Sequence, residues 1–182
     1  MHSGDSAFIQ FSRLFESLRA PFLISDGVSI PAGGYGFSNL IASYTPGAQH
    51  HISGSSSVEI GTFYDGNKKT AAFKGRVDMT SRIFLEPNVS FNWIDLPEGN
   101  FTASVIGGRF VYTLTPEMFT TALIQYGSST HSVSANLRFR WEYRPGSELF
   151  LVYTEGRSTL PAHGTELQSR GFVVKMNRLF RF

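Results

Sequence analysis

The chain has 182 residues, of which 41% are hydrophobic, 14% aromatic and 16% charged, with a formal net charge of +2. That length fits one domain or part of one. Zero cysteines exclude structural disulfides and thiolate metal sites, and a small basic excess without a basic cluster argues against a nucleic-acid partner. No apolar run approaches the ~20 residues of a membrane-crossing helix, so helical insertion is excluded. Seventeen Phe and seven Tyr stand beside a near-neutral mean hydropathy. Membrane β-barrels have that profile, because polar positions facing the lumen cancel apolar positions facing lipid.

In chain order, turn chemistry separates ten strand-like segments: residues 7–15, 35–44, 51–63, 69–79, 83–94, 100–113, 118–127, 131–144, 148–157 and 168–182. Most are longer than the five or six residues common in globular strands, and close to the roughly 9–11 of tilted membrane strands. In 51–63, Ile52, Val58 and Ile60 oppose serines and Glu59. In 69–79, Ala71, Phe73, Gly75, Val77 and Met79 oppose Lys74, Arg76 and Asp78. In 83–94, Ile83, Leu85, Val89, Phe91 and Trp93 oppose Glu86, Asn88, Ser90 and Asn92. Segments 100–113 and 148–157 are partly apolar on both sides, which leaves their inward faces open. The clearest alternation is in 131–144, where Val133, Ala135, Leu137, Phe139, Trp141 and Tyr143 oppose Ser132, Ser134, Asn136, Arg138, Arg140, Glu142 and Arg144. Residues 172–182 alternate too, placing Phe172, Val174, Met176, Phe180 and Phe182 together, against Lys175, Asn177 and Arg181.

A chain that stops on Phe within a strand looks like the closing strand of an outer-membrane barrel. Placing Phe182 at the periplasm and counting backwards puts connections 144–147, 113–117, 80–82 and 45–50 on that side. Connections 156–167, 95–99, 64–68 and the long 16–34 segment then fall outside, as expected for barrels with longer outer loops. Trp93, Trp141, Tyr143, Phe180 and Phe182 are the expected membrane-interface aromatics. The polar Met1–Asp5 start carries no secretory signal, so the expectation is either a chain whose signal has been removed or, ahead of that, the C-terminal portion of a longer protein.

The block Asn-Leu-Arg-Phe-Arg-Trp-Glu-Tyr-Arg-Pro-Gly-Ser-Glu-Leu-Phe-Leu-Val-Tyr-Thr-Glu-Gly at 136–156 is the most specific motif. With Gly-Thr-Phe-Tyr-Asp-Gly at 61–66, Asn-Trp-Ile-Asp-Leu-Pro at 92–97 and the closing Val-Val-Lys-Met-Asn-Arg-Leu-Phe-Arg-Phe, it resembles a C-terminal outer-membrane β-barrel domain of unknown function. That domain follows a carbohydrate-binding family 9-like domain in proteins of Bacteroidetes and related bacteria. The resemblance implies an all-β, antiparallel up-and-down transmembrane barrel of about ten strands over residues 1–182, located in the bacterial outer membrane. It implies a porin-like anchor or a solute- or glycan-related transport module, serving a soluble domain absent from this chain. The implied partners are outer-membrane lipid, the barrel-assembly machinery through the C-terminal strand, and a glycan ligand of that absent domain. It brings no catalytic residues, cofactor or metal. Arg178 stands where the family usually has an outward aromatic.

The expected inward polar set is Glu59, Lys74, Arg76, Asp78, Glu86, Arg138, Arg140, Glu142, Glu155, Arg157 and Lys175. It reads as a mixed-sign lumen network, or as the lining of a pore or ligand site. Adjacent-strand logic pairs Arg138, Arg140 and Arg144 with Glu155, and Lys74 and Arg76 with Glu59 or Glu86. Two alternatives carry different chemistry. An outer-membrane acyl hydrolase would use a His–Ser pair, for which His131-Ser-Val-Ser134 is the candidate; parity points His131 away from Ser132 and Ser134. A soluble β-sandwich binding module would bury Phe139 and Trp141 in a dry core. The adjacent His50 and His51 lack a third ligand nearby.

Overall fold

The computed structural model describes residues 4–47, 52–160 and 164–180. Every element in it is a strand: β1 (Ser6–Leu18), β2 (Phe22–Ser25), β3 (Val28–Ile30), β4 (Gly33–Thr45), β5 (Ile52–Phe63), β6 (Gly66–Thr80), β7 (Ile83–Leu96), β8 (Gly99–Thr115), β9 (Met118–Gly127), β10 (Ser132–Arg144), β11 (Ser147–Ser158) and β12 (Glu166–Met176). Ten of them hydrogen-bond in the order β1-β4-β5-β6-β7-β8-β9-β10-β11-β12, and β2 pairs with β3 alone. Consecutive long strands are neighbours throughout, so the ten segments expected from alternation are the ten strands of one antiparallel sheet. The chain divides into two compact units, Met1–Gly75 with Asn88–Val105, and Arg76–Pro87 with Ile106–Phe182.

The first unit holds the small dry core. β2 and β3 form a hairpin turned by Asp26-Gly27, where Gly27 takes a left-handed φ of 76°. Val28 and Ile30 from this hairpin pack with Tyr35 and Phe37 of β4 and with Ile94 and Leu96 of β7. Ile30 is only 1% exposed. The Tyr35 hydroxyl donates to the Pro31 carbonyl at 2.8 Å, tying the hairpin exit to β4. Beside it, the two-residue turn at Tyr64 carries a strained non-glycine φ of 50°. Edge-on ring contacts of Tyr64 with Tyr35, Phe37 and Phe63 offset that strain. Burial and the Glu16 carboxylate push the Tyr64 phenol above its ordinary range.

The register of β1, β4 and β5 defines two rows. Phe11 faces Leu40, which faces Ile60; Gln10 faces Ile41, which faces Glu59. Between β5 and β6 the backbones approach closely on the apolar side. A Cβ on Gly54 (φ 144°) would fall on the backbone of Lys74 and Gly75, whereas a Cβ on Gly36 would meet nothing within 4 Å. Gly54→Ala is therefore expected to destabilise the fold by roughly 1–3 kcal/mol, and Gly36→Ala to be near neutral. Equal urea midpoints for the two variants would contradict this packing.

In the second unit, β9, β10, β11 and β12 continue the alternation. Leu137 opposes Ala122 on one side and Tyr153 on the other, and Tyr153 opposes Phe172. The last strand ends at Met176, not at the expected chain end. Asn177 still pairs with Glu148 through the backbone, after which Leu179 N donates to Ser147 Oγ at 3.0 Å. Arg178 is therefore not an outward residue of the strand, as the sequence suggests. It lies in the tail with its guanidinium 4.8 Å above the Phe180 ring. Phe180 is exposed beyond the strand, and Phe182 lies outside the described residues, as do His50 and His51.

The connections sort less sharply than expected. The expected outer loops at 64–68 and 95–99 are two-residue turns at 64–65 and 97–98. Many apolar side chains of the sheet are exposed, among them Phe11, Ile60, Trp93, Leu137 and Phe172.

Candidate functional site

The polar rows carry ion pairs within each unit. In the first, Lys68 Nζ lies 3.0 Å from Glu59 Oε1, and the Thr70 hydroxyl bonds Asn92 Oδ1 at 2.9 Å. In the second, Arg76 Nε binds Asp78 Oδ1 at 2.8 Å and reaches Glu86 Oε1 at 4.0 Å. Glu86 also takes Arg109, through Nη2 at 2.5 Å, and the Arg76 guanidinium rests 3.6 Å from the Phe84 ring centroid. Arg140 donates through Nε to Glu148 at 2.8 Å, approaches Glu142 at 3.7 Å and covers Phe119. Glu142 in turn accepts from the Gly146 amide at 2.8 Å. Lys74, Arg138 and Lys175 lie on the same rows, and among the described residues they have no ion-pair partner.

Two expected members belong elsewhere. Glu155 opposes Ala135, and Arg157 opposes Val133, so both share the row of Leu137 and Tyr153. Arg138 and Arg140 instead oppose Val152 and Phe150, which rules out the expected pairing of the arginine ladder with Glu155. The physical reason is the two-residue period of the strand: Glu148 and Glu155 have opposite parity, and only Glu148 falls on the side of Arg140. Glu155 pairs with Arg157 and with Arg170, the latter through Nη2 at 3.0 Å. Sequence reasoning missed Lys68, Arg109, Glu148 and Arg170. Lys68 was detectable, since it has the parity of Lys74 and Arg76.

The contacts also assign the inward side of β8. Arg109 reaches Glu86, and Phe101 packs on the buried cluster, so the odd-numbered residues take the polar side. With every row assigned, the charges divide unequally. On the apolar rows the charged residues are Arg13, Lys69, Asp95, Glu155, Arg157 and Arg170. Each lies within five residues of the strand end formed by Leu18, Gly66, Leu96, Ser158 or Glu166. The remainder of these rows is uncharged, as in Val77 and Met79, Phe110 and Tyr112, Leu137 to Tyr143, and Phe172 to Met176. Charges on the polar rows are not confined in this way: Lys74 and Arg76 of β6 and Arg138 and Arg140 of β10 lie in mid-strand, although the polar rows of β4 and β9 carry none.

Of the five expected interface aromatics, Trp93, Trp141 and Tyr143 sit on the apolar rows. Trp93 is 46% exposed and stacked on Phe91; Trp141 is 40% exposed and meets Tyr143 edge-on. The Tyr143 hydroxyl donates to the Asn177 carbonyl at 2.8 Å. A surface groove of about 750 Å³ runs past Phe11, Leu40, Ile60 and Trp93, with Lys69 and Asp95 at its polar margin.

No protein-family model matches this chain, and no curated protein or solved structure matches it either.

His131 occupies the turn before β10 with a φ of 44°. The Ser132 hydroxyl pairs with Thr130 Oγ1 at 2.7 Å. Among the described residues, no three His, Cys, Asp or Glu side chains gather as a metal site.

Proposed function

We propose that the chain forms a membrane-spanning β-wall of the bacterial outer membrane, built as an up-and-down barrel or a section of one. It anchors a soluble domain to the membrane or conducts a solute, and the resemblance carried by residues 136–156 makes a glycan-related solute the first to test. The observation that carries this reading is the charge distribution: the apolar rows carry charge only within five residues of a strand end, while the polar rows of β6 and β10 carry it in mid-strand as well, at Lys74, Arg76, Arg138 and Arg140. A charge at bilayer depth on a lipid-facing row costs ~2–4 kcal/mol and progressively less near the interface. That gradient matches where Arg13, Lys69, Asp95, Glu155, Arg157 and Arg170 occur.

The exposure of Leu137 and Trp141 weighs against a sandwich, which would cover them with a second layer. Against the hydrolase reading, the Ser132 hydroxyl pairs with Thr130 Oγ1. The expected result in detergent is a folded species that migrates differently from the boiled chain in SDS gels and that floats with lipid vesicles. A single mobility and no flotation would count against the membrane reading.

A further inference from the structure

The apolar rows of β11 and β12 contain one cluster that the wall itself does not require. Glu155 opposes Arg170 directly, and Arg157 lies two residues further along β11. Arg170 binds Glu155 Oε2 through Nε at 3.1 Å and Nη2 at 3.0 Å. Arg157 takes the other oxygen through Nε, and the Tyr153 hydroxyl donates to Oε2. One carboxylate thus orients two guanidinium groups and leaves a net positive charge. The Glu155 side chain is 16% exposed, whereas those of Arg157 and Arg170 are 38% and 52% exposed. The anion lies beneath, and the cations point outward. A guanidinium has five donors, so each retains N–H groups beyond those given to Glu155.

Below this cluster the rows become wholly apolar: Tyr153, Leu151 and Leu149 on β11, and Phe172, Val174 and Met176 on β12. An oriented cationic pair above an uncharged apolar strip complements an amphiphile with an anionic head and acyl tails. Arginine forks fit phosphate oxygens in pairs. We propose that Arg157 and Arg170 bind the phosphate of a membrane-lipid headgroup, with its acyl chains lying along Leu151, Leu149, Phe172 and Val174. This rests on the membrane reading above.

The test uses the full chain, first shown to insert into vesicles, then titrated in neutral micelles with phosphatidic acid, phosphatidylcholine or inorganic phosphate while native mass spectrometry counts retained lipid. Wild type should prefer phosphatidic acid over phosphatidylcholine. Arg157→Gln and Arg170→Gln should each weaken phosphatidic acid roughly tenfold, on the scale of a lost charge-assisted pair, and the double variant should lose the preference. Arg178→Gln, a basic change in the tail, should bind as wild type. Unchanged binding in the double variant, or equal weakening by Arg178→Gln, overturns the site. Displacement of the lipid by equimolar inorganic phosphate would assign it to free phosphate instead and overturn the lipid source. If wild type fails to insert, the membrane reading and this site fall together; insertion with unchanged binding removes the site alone.

Discussion

Replacing Ile30 with alanine is expected to destabilise the first unit by about 2–5 kcal/mol, the range for truncating a large aliphatic side chain in a well-packed site. Ile30 is the most deeply buried large side chain, at 1% exposure, in a cluster of six buried residues. Leu18, Ile24, Phe63, Tyr64 and Phe101 pack against this cluster from the rim without being buried. The hairpin has only β2–β3 pairing of its own, and an isolated two-stranded hairpin is marginal in water. Its attachment to Tyr35, Phe37, Ile94 and Leu96 therefore depends on Val28 and Ile30. Denaturant unfolding followed by Trp93, which neighbours Ile94 in sequence, should show a lower midpoint, and limited proteolysis should cut within residues 19–32. An unchanged midpoint and intact hairpin would mean the cluster does not hold this segment.

The second large effect lies in β10. Leu137→Arg places a charge on the apolar row, between Ala122 and Tyr153. If that row faces lipid near mid-bilayer, the cost is ~2–4 kcal/mol. Arg138→Leu removes an exposed charge with no ion-pair partner among the described residues, and should change stability by no more than about 0.5 kcal/mol. The two substitutions are adjacent and opposite in polarity, so a comparison of refolding yield and unfolding midpoint in detergent or vesicles isolates the face. Equal tolerance at both positions would contradict the assigned orientation.

The sheet was legible because its signal is local. Six apolar residues facing a polar row in 131–144 reflect the two-residue strand period, and the same logic located all ten long strands. The β2–β3 hairpin was not read, because four- and three-residue strands are too short to show alternation. Its Asp26-Gly27 turn between Leu23-Ile24 and Val28-Ser29-Ile30 was the available signal. The face of Glu155 and Arg157 was not legible from β11, where Phe150 and Val152 are as apolar as Leu149 and Leu151. Only the register against Ala135 and Val133 assigns it. Arg178 was misplaced for a related reason: alternation continues in the sequence past Met176, but the chain leaves the strand to meet Ser147. Ion-pair choice was likewise nonlocal, as Arg140 finds Glu148 across the β10–β11 turn.

The absence of cysteine in the chain makes every introduced thiol unique, and single cysteines at positions 133 to 142 of β10 test the membrane wall most directly. After reconstitution in vesicles, a water-soluble maleimide should label Ser134, Asn136, Arg138 and Arg140 positions and spare Ala135, Leu137 and Phe139 positions. A bilayer-dissolved quencher should act on fluorophores at the second group alone. Uniform aqueous labelling along both rows, with no quenching at Leu137 or Phe139, would contradict a lipid-facing apolar row and with it the proposed outer-membrane wall.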